Sequence, residues 1–406
     1  MTKNTLKRFL YIAFGALLSQ GVLFLSYTYT MHVDMDKLGV ISTALGIMSI
    51  ALILIDFGGV VTLKQFESIE EVFNKVLNIV IIRLIIFILL TFIYFSFKDA
   101  IDPRIAMFLS ATLTGLFFTI FNFTGLLDVV TKNSLHAVLS SPHLTVVGVA
   151  LLFIEDSSYQ AIGDLCTLSL IITYITHLFY VFLYFKSKIE IKRECRNITA
   201  ESLKYNFYEG FFILLAVLPG QVVVRFFSVY LFEKFDSSTA AIYNYAKTLQ
   251  GLFNQAITLI RRAEYPNLMA FKGCSFNLIN WMKAQALSLL SGVLGMLSLF
   301  ILIFTGLIEL EVYLGIIIAL QSLVWFAFSV YFVWLQIHFE NKWQGFYGVM
   351  VVLFSFSVLF FNSLNDVADV FYLEIFASVS SFIALIVVKR LVFLYGILKN
   401  EKSRNC

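Results

Sequence analysis

Residues 207–232 read FYEGFFILLAVLPGQVVVRFFSVYLF. A run this long and apolar fits the ~30 Å hydrocarbon core of a bilayer, which takes about 20 residues of helix to cross. Pro219-Gly220 falls near its middle. Proline removes a backbone hydrogen bond there and glycine loosens the chain, so the stretch predicts a membrane helix with a hinge. Gln221 and Arg225 follow four residues apart, on one face just beyond the bend. A charge near the centre of a membrane helix costs about 3 kcal/mol on insertion scales, so Arg225 must face a partner, water or an anion rather than lipid.

The rest of the chain has the same character. Of its 406 residues, 60% are hydrophobic, 17% aromatic and only 14% charged, with a mean hydropathy of +0.88. A soluble domain carries about 25% charged residues. The reading is therefore an all-α, polytopic membrane protein with almost no soluble part. Apolar runs predict about twelve transmembrane helices, at 8–30, 38–62, 75–96, 104–127, 141–155, 160–185, 207–232, 238–260, 284–306, 311–338, 345–362 and 370–396. The first is too long for a signal peptide, and no small-residue cleavage site follows it.

Charge orients these spans. With the N-terminus inside, and with Arg8, Lys75, Arg104, Lys389 and Arg390 counted with the segments that adjoin their span ends, the inner segments hold 22 of the 29 Lys and Arg, the outer loops 4, and the span interiors 3. That asymmetry follows the positive-inside rule and predicts cytoplasmic N- and C-termini. The longest polar stretch, KSKIEIKRECRNITAESLK at 186–204, divides the chain into an N-terminal six-helix lobe (1–185), a cytoplasmic linker (186–206) and a C-terminal six-helix lobe (207–406). The halves echo each other faintly. Ser19-Gln20-Gly21 resembles Pro219-Gly220-Gln221, and Gly39-Val40-Ile41-Ser42-Thr43-Ala44 resembles Ala241-Ile242-Tyr243-Asn244-Tyr245-Ala246, offset by about 202 positions. A parallel repeat about an axis along the membrane normal has this form.

Three basic residues lie deep within spans: Arg83, Arg225 and Lys247. Arg225 and Lys247 open the second half on consecutive helices, and no comparably central carboxylate stands beside them. This unmatched charge points to an anion that is not part of the protein. In the eighth span Tyr243 and Lys247 share a face, as do Gln250 and Asn254. These polar groups either line a cavity or bond helix to helix. Arg83 has two readings, an internal ion pair with Asp56 or membership of the anion-binding set.

Enzymatic chemistry finds little support. Cys166, Cys195, Cys274 and Cys406 lack paired spacing, and the five His form no ligand cluster, so no metal or cofactor is expected. A phosphate loop is absent, and a chain with so few charges suggests no nucleic-acid partner. Asp34 and Asp36 sit in a short outer loop and read as a solvated turn.

The layout resembles the Wzx-type polysaccharide flippases, the O-antigen transporters of the multidrug/oligosaccharidyl-lipid/polysaccharide (MOP) exporter superfamily. The residues that carry the resemblance are Leu18-Ser19-Gln20, Leu38-Gly39, Asp56-Phe57-Gly58, Arg225, Ala241-Ile242-Tyr243-Asn244-Tyr245-Ala246-Lys247 and Tyr265-Pro266-Asn267-Leu268. Met31 and Met35 stand where the family often has arginine and proline, and Ala241 where it often has glycine.

The resemblance implies a MATE-like, V-shaped bundle of two lobes in the bacterial inner membrane. It would move an undecaprenyl-pyrophosphate-linked oligosaccharide between leaflets by alternating access, beside the polysaccharide assembly machinery and with H+ or Na+ coupling. Arg225, Lys247 and Arg83 would bind the pyrophosphate. Gln20, Gln221, Tyr243, Asn244, Gln250 and Asn254 would line the cavity, and Pro219, Gly220 and Asp56 would serve structure and hinging. A MATE-like drug antiporter should offer a buried acid to its cation, and the cavity reads as basic. A glycan polymerase or ligase should carry a long outer loop, and every outer loop here is short.

Overall fold

The computed structural model describes residues 21–63, 69–130, 142–153, 158–188, 199–269, 276–305, 311–338, 341–361 and 364–404. All regular structure among them is helical. In order these are α1 (Val22–Val33), α2 (Met35–Asp56), the short α3 (Gly59–Thr62), α4 (Ile69–Phe97), α5 (Pro103–Phe118), α6 (Thr124–Val130), α7 (Pro142–Phe153) and α8 (Tyr159–Lys188). They continue with α9 (Ala200–Lys234), α10 (Ser237–Met269), α11 (Leu278–Ala284), α12 (Ala286–Phe304), α13 (Val312–Ile337), α14 (Asn341–Phe361) and α15 (Val367–Arg404).

Each predicted span has a helix over it, the first only in its described part. Among the described residues, seven helical stretches are long and apolar enough to cross a membrane, and an eighth is added if the two arms of α9 count as one span. α10 fails that test because Asn244, Lys247, Gln250 and Asn254 interrupt its apolar run. α7 fails by length, at 12 residues. α9 is bent by 52° between Ala200–Leu215 and Leu218–Lys234, immediately before Pro219.

Several helices start on a side-chain cap. Asp34 accepts from the backbone N–H of Lys37 at 2.9 Å to open α2. Asp102 does the same for α5 through Arg104 at 2.8 Å, with Pro103 at the first helical position, where its missing N–H costs nothing. Thr199 opens α9 by accepting from Ser202.

The chain divides into two compact units. Unit 1 comprises Met1–Leu214 and Arg225–Ala263, and unit 2 comprises Leu215–Val224 and Glu264–Cys406. Of the expected linker at 186–206, residues 189–198 lie outside the described residues.

Unit 1 is held together by close backbone approach, the packing that works where lipid removes any hydrophobic drive between helices. A Cβ on Gly115 of α5 would lie 2.9 Å from Thr167 Cα of α8, and one on Gly163 of α8 would lie 2.8 Å from the Phe108 carbonyl of α5. Thr167 also donates to the Ala111 carbonyl at 2.7 Å. In unit 2, α13, α14 and α15 pack together. Phe328 stacks on Phe382 at 3.9 Å, and buried Gln321 donates to buried Glu374 at 2.6 Å.

Candidate functional site: basic residues inside unit 1

Arg225 lies in the second arm of α9. Its side chain reaches α2 at Gly46, where a Cβ would stand 3.1 Å from Arg225 Cδ, so the absent side chain leaves room for the guanidinium stem. The phenols of Tyr27 on α1 and Tyr243 on α10 are near enough to act on it electrostatically. Its Nε is buried without a hydrogen-bond partner, and no carboxylate pairs with it among the described residues. An unsatisfied guanidinium donor in a buried position is costly.

Lys247 is one turn along α10 from Tyr243. Its ammonium sits 5.5 Å from the centre of the Tyr243 ring and donates to Gln250 Oε1 at 3.2 Å. Arg225 and Lys247 are thus tied to the same tyrosine, one by field and one by contact.

Arg83 takes the ion-pair role. It is fully buried, and its Nη2 meets Asp56 Oδ1 at 2.5 Å. Its Nη1 donates to the Ile120 and Asn122 carbonyls at 3.1 and 2.7 Å, and its Nε to the Asp56 carbonyl at 3.3 Å. Asn122 Nδ2 also reaches Asp56 Oδ1, at 3.3 Å. The guanidinium thereby joins the end of α2 to the start of α6, so the internal ion pair, one of its two sequence readings, is formed here. The turn beside it is tightly built. Phe57 and Gly58 have φ of 47° and 71°, and a Cβ on Gly59 would collide with Arg83 Nη2. Phe57 bears the strain of the left-handed region and glycine does not.

The other candidates are placed unevenly. Gln20 lies outside the described residues. Tyr243 and Asn244, expected along a cavity, are buried within unit 1. Asn244 Nδ2 donates to Ser42 on α2 at 2.9 Å and to Ser228 on α9 at 2.7 Å, bonds that run from helix to helix. Gln250 is buried beside Lys247, whereas Asn254 and Gln221 are exposed. Pro219 is buried, with its ring 3.2 Å from where a Gly348 Cβ would stand, and Gly220 is exposed, with open space where a Cβ would project among the described residues. No group of metal-binding side chains occurs among the described residues.

Asp34 and Asp36 are exposed, as expected of a solvated turn, and Asp36 also has specific partners. Its carboxylate accepts from Arg104 Nη1 at 2.7 Å and from the Ser237 hydroxyl. Burial alone would raise the Asp102 carboxyl, but the side-chain and backbone hydrogen bonds and the charge of Arg104 hold it below its usual range. Asp236, which accepts the Thr239 N–H at 2.6 Å, is lowered by that bond. These groups bring the turns before α2, α5 and α10 together at one end of unit 1.

No protein-family model matches the chain, and no curated protein does. Solved structures do. The chain is similar to a MATE transporter crystallised with a bound compound, at 15% identity over 96% of this chain and 98% of that one, with a TM-score of 0.63. It is similar to the MATE multidrug transporter DinF-BH, at 13% identity over 96% and 95%, with a TM-score of 0.65. A third is a multidrug resistance MATE family transporter of the MOP superfamily in its inward-facing conformation, at 15% identity over 96% and 94%, with a TM-score of 0.59. Likeness of this kind fixes the architecture and not the cargo: the chain is an all-α, multi-pass membrane protein with the fold of the MATE transporters.

Proposed function

We propose that the protein is a flippase that moves a lipid-linked oligosaccharide, with undecaprenyl pyrophosphate as its carrier, across the bacterial inner membrane. The observation that carries this reading is Arg225, a guanidinium inside a membrane helix with a buried Nε unbonded and no carboxylate paired to it among the described residues. A charge so placed is satisfied by an anion, and a pyrophosphate offers oxygens that match a planar fork of donors. Lys247, held by Tyr243 and Gln250 on the neighbouring helix, supplies a second positive charge. The fold supports transport by alternating access. Amides and aromatic rings suit a sugar chain, and the prenyl tail can remain in lipid. H+ or Na+ supplies the driving force in this reading, and the assembly machinery for the polysaccharide supplies and consumes the cargo.

The test is complementation of a flippase-deficient strain, with membrane abundance checked by blotting. Arg225→Ala and Lys247→Ala should each abolish or strongly reduce surface glycan at normal abundance. Arg225→Lys should recover only part of it. Wild-type glycan from the double alanine variant overturns the proposal. The second reading, export of cationic drugs, draws on the multidrug neighbours and on buried Glu374. It predicts drug resistance that depends on Glu374 and is indifferent to Arg225→Ala.

A further inference from the structure

The short helix α11, LINWMKA, divides its apolar side chains between two faces. Trp281 is buried against Val330 and Val333 of α13, with Phe276 and Trp334 packed on them. Leu278, Ile279 and Met282 share another face and are all exposed. The charge pattern assigns this end of unit 2 to the inside.

α15 leaves apolar surface uncovered at the same end. From Val367 to Arg390 it rises about 35 Å, enough to cross the hydrocarbon core. Yet the next four residues, Leu391, Val392, Phe393 and Leu394, are apolar and 47–68% exposed. Four consecutive residues complete a helical turn, so the helix is bare and apolar all round just beyond its basic pair.

Trp334 joins the two surfaces. It packs on the Trp281 cluster of α11 and carries Lys389 of α15, whose ammonium lies 4.2 Å from the centre of its ring. The same ammonium lies 5.7 Å from the centre of the Tyr331 ring. Lys342 stands in the same way over Trp343, at 5.9 Å. Tryptophans with lysines laid on them mark the depth of the lipid headgroups. Arg390 is exposed and has no ion pair among the described residues. Cations set at that depth between bare apolar surfaces suit an anion that brings hydrocarbon with it.

We propose that this end of unit 2 binds an anionic phospholipid, with its phosphate against Lys389 and Arg390 and its chains over α11 and the last apolar turn of α15. The indole occupies one side of the Lys389 ammonium, and N–H donors on its other side remain for phosphate oxygens. The site does not involve Arg225, which belongs to unit 1, and it does not depend on the transport reading.

The test is native mass spectrometry of the purified full-length protein with phosphatidylglycerol and phosphatidylcholine of identical chains. Phosphatidylglycerol should be retained about fivefold more strongly, or better. Lys389→Gln with Arg390→Gln should remove the preference, and Lys389→Arg with Arg390→Lys should keep it. Lys399→Gln with Lys402→Gln takes the same charge from the same helix further on and should also keep it. A preference that survives neutralisation at 389 and 390, or an equal loss from the 399 and 402 pair, overturns the site. A second measurement locates the lipid. Bimane on Ile279→Cys, in a chain whose four native cysteines are replaced by alanine, should be quenched more by brominated phosphatidylglycerol than by brominated phosphatidylcholine. Equal quenching by the two overturns the proposal, as does a dimer of the chain formed through this face in place of a lipid adduct.

Discussion

Replacing Asp56 by alanine should destabilise unit 1 far more than an ordinary surface change. Arg83 is fully buried, while the Asp56 side chain is 22% exposed. The substitution removes the 2.5 Å ion pair, the Asn122 Nδ2 contact and the bond from the Val60 N–H. The two carbonyl bonds of Arg83 Nη1 and the one at Nε survive. Breaking one side of a buried pair costs about 3–5 kcal/mol, because the remaining charge is left uncompensated. Partial exposure of Asp56 and the surviving carbonyls put the expectation at the lower end, about 3 kcal/mol, or roughly a hundredfold in a folding equilibrium. Removing both partners, as Asp56→Leu with Arg83→Met, takes the stranded charge away and should cost less than Asp56→Ala alone. Detergent thermal melts and membrane abundance of the three proteins form the assay. A melt for Asp56→Ala equal to wild type, or a double variant worse than the single, would refute the ion pair as the element that ties α2 to α6.

Gly59→Ala should give a related phenotype by another route, since its methyl lands on Arg83 Nη2 and pushes the guanidinium off Asp56; a wild-type melt argues against that geometry. Pro219→Ala should leave abundance unchanged but slow transport, because the 52° bend next to it is where α9 would flex; full transport removes the hinge role. The Asp102 and Asp236 carboxyls are held below the usual aspartate range, so their contribution to stability is complete above that range and disappears as pH falls through their lower folded values. Hydrogen exchange at 98–104 and 235–239 should therefore quicken on acidification below the usual aspartate range, before α13–α15 respond, and equal protection throughout would contradict the assignment.

The helices were legible because membrane thickness imposes a length and lipid imposes apolarity, and both are written directly into runs such as 207–232. The bend in α9 follows from one proline. The Arg83–Asp56 pair was one of two readings, and only packing could choose between them. Tyr243 and Asn244 show what a sequence leaves open: a polar face on a membrane helix looks the same whether it meets a cavity or another helix. Asp36 is solvated, as an acid in a short loop reads, but its partners Arg104 and Ser237 stand 68 and 201 positions away, beyond the reach of local pattern. Ser42 and Asn244 occupy matching places in the faint echo between the halves, but their hydrogen bond is a tertiary fact.

The most direct test of the central claim is binding of cargo headgroup to Arg225. Native mass spectrometry of the purified protein should detect undecaprenyl pyrophosphate bound in preference to undecaprenol, whose tail is the same and whose headgroup is uncharged. Arg225→Ala should erase that preference while leaving weak, tail-driven adducts of both lipids. A wild-type protein that binds the two lipids equally, or an Arg225→Ala variant that keeps the preference, would contradict the account.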